Sequence, residues 1–248
     1  MTPPNRPPDD QALIRRQFSA HAQAYVTSRD HQSDATLAKM VALLKLTPNS
    51  RVLDVATGGG HTALALARET PHVVASDLTH RMLQAARGAL RAAGPAPVGY
   101  VQADAHSLPW GDDTFAAVTC RVAAHHFTDV ARFVRECARV TRVGGRVAVI
   151  DNITPADPPA ARYVNALEKL RDPSHGWEYS APDWESFFRA VGLEIVHVEQ
   201  SRMSLQFHGW VERMSVPEVN RRQLRALLHH APGAARESLH PREEDGQL

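Results

Sequence analysis

One short stretch constrains the fold more than any other: Val52-Leu53-Asp54-Val55-Ala56-Thr57-Gly58-Gly59-Gly60-His61, an apolar run that ends in three consecutive glycines. A strand that runs into glycines and then into a helix lets a ligand approach the backbone closely, with N–H donors of the loop facing it. The next apolar run, His72 to Asp77, also ends in a carboxylate. A carboxylate at that strand end, roughly twenty residues beyond the glycines, can accept hydrogen bonds from both hydroxyls of a ribose. The pair predicts a nucleoside site. A tight turn with no ligand explains three glycines after Asp54 less well.

Three more apolar runs follow, Val98 to Ala103, Phe115 to Arg121 and Arg146 to Asp151. Between them Met82, Leu83, Ala86 and Leu90, and then Val130, Phe133, Val134, Cys137 and Val140, recur at helical spacing. Gly144-Gly145 reads as the end of the second of these helices. Strands that alternate with helices at short intervals predict an α/β fold, a doubly wound, Rossmann-like and mostly parallel sheet. The runs are apolar rather than alternating, as strands covered on both faces should be.

Upstream, Ile14, Phe18, Ala22 and Tyr25, then Leu37, Val41 and Leu44, predict an N-terminal helical cap. Downstream, the prolines 155, 158 and 159 mark a break. Helices are expected over 160–169 and over 183–191, the latter closed by Gly192. A sixth strand is expected over 193–198, and then a helical stretch over 210–240 with Leu224, Leu227, Leu228 and Ala231 as its stripe. The expected organisation is a cap or lid over 1–50, a cofactor-binding core over 51–152, and a helical insertion, sixth strand and C-terminal helices of the same domain over 153–248.

Composition narrows the function classes. Lysine and arginine number 28 against 27 acidic residues, a net charge of +1. That balance lacks the clustered basic charge that nucleic acid or an anionic membrane rewards. No apolar run approaches the roughly 20 residues that span a bilayer. The first ten residues lack the charged start and apolar core of a secretory signal. Cys120 and Cys137 are the only cysteines, each within an apolar segment, which suggests neither a disulfide framework nor a zinc site. A cytoplasmic protein is expected, with no nucleic-acid or membrane partner.

Two cofactors suit the glycine loop. Gly58-x-Gly60-x-x-Ala63, with Asp77 downstream, satisfies the permissive dinucleotide fingerprint. An NAD(P)-dependent oxidoreductase therefore stays open on these residues. Against it, Asp54 would face a pyrophosphate unfavourably but a cationic amino-acid ligand favourably. Helices also precede the first strand, and no tyrosine stands four residues before a lysine.

Asp54-Val55-Ala56-Thr57-Gly58-x-Gly60 resembles the first motif of the class I S-adenosylmethionine-dependent methyltransferases. Its alanine-threonine form is similar to that of the ubiquinone and menaquinone biosynthesis C-methyltransferases and of the methyltransferase type 11 group. The resemblance continues through Asp77, through Ala103-Asp104-Ala105-x-x-Leu108-Pro109-Trp110-x-Asp112-Asp113-x-Phe115, and through Val140-x-x-x-Gly144-Gly145. Uncharacterised bacterial members of the group share Cys120-Arg121-x-Ala123-x-His125-His126-Phe127 and Leu170-Arg171-Asp172-Pro173-Ser174-His175.

The resemblance implies an enzyme that uses S-adenosyl-L-methionine. It implies that Asp54, Ala56, Thr57, Gly58 and Gly60 line the methionine end, that Asp77 holds the ribose, and that Leu78 and Met82 sandwich the adenine. Asp104 then takes the exocyclic amine and Ala105 supplies a backbone donor. A lidding N-terminal helix brings Tyr25 near the sulfonium. Ordinary helix packing explains Leu78 and Met82 equally well.

The family sheet closes with a seventh, antiparallel strand, and the sequence stops where that strand is due. Either the natural chain continues past Leu248, or the sheet is one strand short and exposes a neighbour's edge to pairing in a homodimer. Ala116 replaces an aspartate common after the phenylalanine of the fourth strand.

The methyl acceptor, expected to be a small molecule, should lie beyond the carboxyl ends of the fourth and fifth strands. That region offers Arg121, His125, His126, Asp151 and Asn152, with His175 in the insertion. His126 or His125 is the candidate base, because imidazole titrates near neutral pH. Adjacent histidines cannot easily serve one point, so one should face substrate and the other pack. Arg121 could hold an anionic substrate group or the cofactor's carboxylate, or form a salt bridge within its loop. Asp172-Pro173-Ser174 before His175 also reads as a helix-ending turn. Asp151-Asn152 suggests a magnesium pair, but the preceding strand ends in Thr119-Cys120-Arg121-Val122 without a carboxylate, so no metal is expected. His229-His230 reads as a solvated helix face.

Overall fold

The structure, a computed structural model, describes residues 11–18, 35–94 and 98–242. Ala22 and Tyr25 lie outside the described residues. Contacts divide the chain into two compact units, with the boundary between Asp151 and Asn152.

The first unit begins with helix α1 over 11–18. Then come α2 (Ala35–Leu44), β1 (Val52–Val55), α3 (His61–Ala67), β2 (Val73–Asp77), α4 (His80–Ala92), β3 (Gly99–Gln102), β4 (Phe115–Arg121), α5 (Val130–Val140) and β5 (Thr141–Ile150). The strands order as β3-β2-β1-β4-β5, and every pairing is parallel. β1 is buried at all four positions, as a strand covered on both faces must be. Leu44, Val52, Leu66, Val73, Leu90 and Ala117 belong to one continuous core. Burial of each such valine or leucine contributes about 1.5–3 kcal/mol. The predicted stripe of α5 is the buried one, Val130, Phe133, Val134, Cys137 and Val140. Both cysteines are buried free thiols whose pKa burial raises, so neither is a nucleophile at neutral pH.

Gly144-Gly145 does not end α5. The helix gives way at Thr141 directly to β5, and the two glycines sit inside that strand at a register irregularity opposite β4. A Cβ on Gly145 would lie 2.8 Å from the Ala116 carbonyl oxygen and 2.6 Å from Thr141 Cγ2, and Gly144 has φ +73°. Neither glycine caps the helix: Gly145 admits the close approach of β4, and Gly144 supplies the positive φ of the irregularity.

The second unit contains α6 (Pro158–Arg171), α7 (Ala181–Ala190), α8 (Phe207–Glu212), α9 (Glu218–His229) and α10 (Gly233–Leu239). Ser180 and Asp183 cap α7 reciprocally. The turn after α6 is as read: Ser174 N–H and Oγ donate to Asp172 Oδ1 at 2.8 and 2.6 Å. Leu224 is fully buried, Ala231 is buried, and His229 and His230 are exposed. The helix expected over 210–240 is three pieces, broken near Pro217 and Pro232, each of which precedes a new helix.

The sixth strand expected over 193–198 is absent among the described residues. Val196 and Val198 are 67% and 52% exposed. A segment becomes a strand only when a neighbour takes its backbone hydrogen bonds, and 193–198 forms no such ladder among the described residues. Among the described residues, no helix is long and apolar enough to cross a membrane.

Candidate functional site

A parallel sheet binds ligands beyond the carboxyl ends of its strands, where neighbouring connections leave in opposite directions. The order β3-β2-β1-β4-β5 places that point between β1 and β4. A cleft of about 1050 Å³, its solvent-open mouth included, lies there within the first unit. The loop after β1 and the loop after β4 form its two sides. Backbone strain marks both: Ala56 and Val122, the residues that follow β1 and β4, have φ of +53° and +52°. A β-branched residue in that region costs about 1–3 kcal/mol and persists only where the surrounding structure imposes it.

Asp54 lines the cleft at 1% exposure. Thr57 Oγ1 donates to its Oδ2 at 2.7 Å, and Thr119 Oγ1 donates to its Oδ1 at 2.8 Å. Burial pushes its pKa up to about 6, against the opposing pull of those hydroxyls and of Arg121. Asp77 takes Gly58 N–H on Oδ2 at 3.1 Å, and Thr79 N–H and Oγ1 on Oδ1 at 2.9 and 3.1 Å. Burial raises its pKa too, and the N–H donors act against that rise.

The loop's amides are largely committed. Thr57 N–H goes to the Ser76 carbonyl, Gly58 N–H to Asp77, and Gly60 N–H to the Thr57 carbonyl. Three of the donors expected from the glycine motif are therefore spent inside the fold. What the glycines give instead is proximity. Gly60 does not line the cleft: with φ +86°, it backs onto α4, where a Cβ would lie 2.5 Å from Leu90 Cδ1. Ala56, Thr57 and Gly58 do line it, as do Leu78, Met82, Asp104 and Ala105. Met82 is 1% exposed and so also serves the core.

Arg121 and His126 line the opposite wall. The His126 ring stands edge-on to Phe18 of α1 with centroids 4.8 Å apart. His125 is turned elsewhere. Its Nδ1 lies 2.5 Å from Asp151 Oδ1 and its N–H donates to Asp151 Oδ2 at 2.9 Å. The two adjacent histidines thus divide their tasks: one faces the cleft and the other fastens the loop to the end of β5.

Gln11 and His106, which no motif of the sequence singled out, also line the cleft, with Phe18 and Phe127. Gln11 Nε2 donates to Asp104 Oδ2 at 2.9 Å across 93 positions of sequence. The Leu108-Pro109-Trp110-x-Asp112 segment is held structurally. Arg139 donates to the Leu108 and Trp110 carbonyls and pairs with Asp112 and Glu136.

In the second unit, His175 Nε2 lies 2.8 Å from Asn165 Oδ1. Glu168, His175 and Glu178 bring one ligand-capable atom each within 4.8 Å. Glu168 is already paired with Arg171 at 2.8 Å, and Asn165 binds both flanks of Glu178, so this knot closes the turn after α6.

A sheet of this order, with a glycine loop, a carboxylate ending β2 and a carboxylate after β3, defines a nucleoside-binding α/β enzyme fold. Known proteins make the class narrower. Residues 53–149 match the family described as "Methyltransferase domain". The uncharacterized methyltransferase YcgJ of Bacillus subtilis is 35% identical over 221 residues, which cover 89% of this chain and 87% of that protein. The YcgJ crystal structure superposes with a TM-score of 0.78 over 82% of this chain and 86% of that chain, at 37% identity. The ubiquinone/menaquinone biosynthesis C-methyltransferase UbiE of Vibrio vulnificus is 33% identical over 160 residues, 63% of this chain and 61% of that protein. The chain belongs to the class I S-adenosylmethionine-dependent methyltransferases and is related to UbiE. Family membership chooses between the two readings of the glycine loop, against the oxidoreductase.

Proposed function

We propose that the chain binds S-adenosyl-L-methionine in the cleft between β1 and β4 and transfers its methyl group to a small-molecule acceptor. One observation carries the reading. The cleft is floored by Asp54, Asp77 and Asp104, while the Thr57, Gly58 and Gly60 amides of the glycine loop are committed inside the fold. A phosphate-bearing ligand would meet acceptors there, whereas a cationic ligand with a ribose diol and an exocyclic amine would meet its complements.

Asp54, with Ala56, Thr57, Gly58 and Gly60 shaping the loop, faces the methionine end, and Asp77 takes the ribose. Leu78 and Met82 flank the adenine, Asp104 takes its amine, and the Ala105 N–H supplies the remaining donor. Helix α1, whose Gln11, Ile14 and Phe18 line the cleft, forms the lid. Bound in this way, the cofactor supplies a methyl group on a cationic sulfur.

The chain's own part is to align a nucleophile opposite that group, to exclude water and, where the nucleophile is protonated, to take its proton. His126, on the wall opposite the carboxylates, is the base, and Arg121 holds an anionic part of the acceptor or the cofactor's carboxylate. His125 fixes the loop that presents them. The relatives that act in quinone biosynthesis support a small acceptor.

Calorimetric titration with S-adenosylmethionine, S-adenosylhomocysteine, NAD and NADP tests the cofactor directly. Micromolar binding of the first two alone is expected. Binding of a nicotinamide nucleotide alone would overturn the reading.

A further inference from the structure

Asp104 lines the cleft just after β3, and its surroundings are more specific than the aspartate itself. Its Oδ1 takes two donors from one residue, the His106 N–H at 2.9 Å and His106 Nδ1 at 2.6 Å. The other ring nitrogen, Nε2, accepts the Asp129 N–H at 3.2 Å. A ring nitrogen that accepts a backbone N–H carries no proton, so the proton of the neutral imidazole sits on Nδ1 and points at Asp104. Asp129 is itself fixed as the N-cap of α5, where its side chain accepts Arg132 N–H at 2.8 Å. Phe127 packs edge-on against the imidazole with centroids 5.7 Å apart. The ring is thus held on two sides.

With Oδ1 engaged by His106, Oδ2 is the oxygen turned toward a planar NH2 group. In this structure that group is the Gln11 side-chain amide, 2.9 Å away. The hydrogen bond from His106, the largest of several causes, holds the Asp104 carboxyl well below the usual carboxylate range. An ionised carboxylate accepts and cannot donate. An amide NH2 and the amine of a 6-aminopurine are the same kind of donor, two coplanar hydrogens on a nitrogen attached to an sp² carbon.

We propose that His106 is the positioning residue that makes this site selective for a 6-aminopurine: it turns Asp104 so that Oδ2 accepts the exocyclic amine, and the Gln11 amide fills that place until the purine arrives. The inference rests on the cofactor reading above and on Asp104 as the partner of the amine. It adds what tells Asp104 which oxygen to present and which protonation state to keep.

The test is calorimetric titration with S-adenosylhomocysteine and its 6-deamino analogue, in which hydrogen replaces the amine. Wild type should favour the amino compound by about tenfold or more, the order of one hydrogen bond to a charged group. His106→Ala should reduce that preference to within about threefold, mostly by weakening the amino compound. His106→Asn, whose amide nitrogen can occupy the place of Nδ1, should restore the preference.

Equal weakening of both compounds in His106→Ala, or an unchanged preference, would overturn the proposal and leave His106 a packing residue. Gln11→Ala should bind the amino compound at least as well as wild type, and a tenfold loss would put the amide in the complex rather than in the amine's place. If wild type binds neither compound, the cofactor reading fails. If it binds both equally, only the selectivity proposal fails.

Discussion

The two walls of the cleft are built on different principles. On the β1–β3 side, three carboxylates each accept at least two hydrogen bonds, yet their surroundings push them apart. Asp54 receives two hydroxyls and is buried, so its pKa rises to about 6. Asp104 receives His106 and Gln11 with less burial, so its carboxyl stays ionised. Hydroxyl donors offset part of a desolvation penalty, whereas a directed imidazole and less burial remove the rise altogether.

The β4 side presents Arg121 and His126 on a loop. Its order comes from the backbone: Val122 is held at positive φ, its N–H bonds the Ile150 carbonyl, and His125 is fastened to Asp151. One wall is ordered through hydrogen bonds to its carboxylates. The other is ordered through the loop that carries Arg121 and His126.

If that contrast is right, the largest effect belongs to the loop wall. His126→Ala should lower turnover of an accepted substrate by about 10²–10⁴-fold, the usual contribution of a general base. Affinity for S-adenosylhomocysteine should stay within about threefold in the same variant. Loss of cofactor binding instead would make His126 a structural member of the carboxylate side.

Smaller is the effect of Asp77→Ala, which removes the ribose partner and the acceptor for Gly58 N–H and Thr79. Cofactor affinity measured by calorimetry should fall by about 10–100-fold, the loss of one or two hydrogen bonds to a charged group. Unchanged affinity would take Asp77 out of the ribose role.

The smallest and most graded effect should come from Asp54. Its pKa is raised in the folded chain, so its contribution to stability is complete below the ordinary carboxylate range and is lost as pH rises through about 6. Chemical denaturation of the ligand-free protein should show Asp54→Asn gaining about 2–3 kcal/mol relative to wild type above that pH. A cationic ligand favours the ionised carboxylate, so wild-type cofactor affinity should fall by up to tenfold per pH unit below about 6. The Asn variant should lose that slope, and a slope retained in it would assign the proton to another group.

Much of the binding wall could be read from the chain because its chemistry is local. Thr57 reaches Asp54 three positions away, Thr79 reaches Asp77 two away, and His106 reaches Asp104 two away. The glycine loop misled in one respect, since amides that look available in a motif are spent on Ser76, Thr57 and Asp77 once β1 and β2 pair. Gly144-Gly145 misled in another, because two glycines after an amphipathic stripe look the same in sequence whether they cap a helix or admit a neighbouring strand. The segment 193–198 carries strand-forming residues, but composition specifies a strand only where a partner exists.

The sequence by itself determined the alternation of strands and helices, the cleft's first wall and the family. The alternation follows from local periodicity, while the wall and the family were legible through the resemblance of short motifs to known methyltransferases. Only the tertiary structure decided which of two adjacent histidines faces the cleft, because that depends on Asp151, 26 positions from His125. It alone decided that Gln11 meets Asp104 and that Gly60 backs closely onto α4. Contacts of that range are set by how strands order in the sheet, and one-dimensional spacing carries no record of that order.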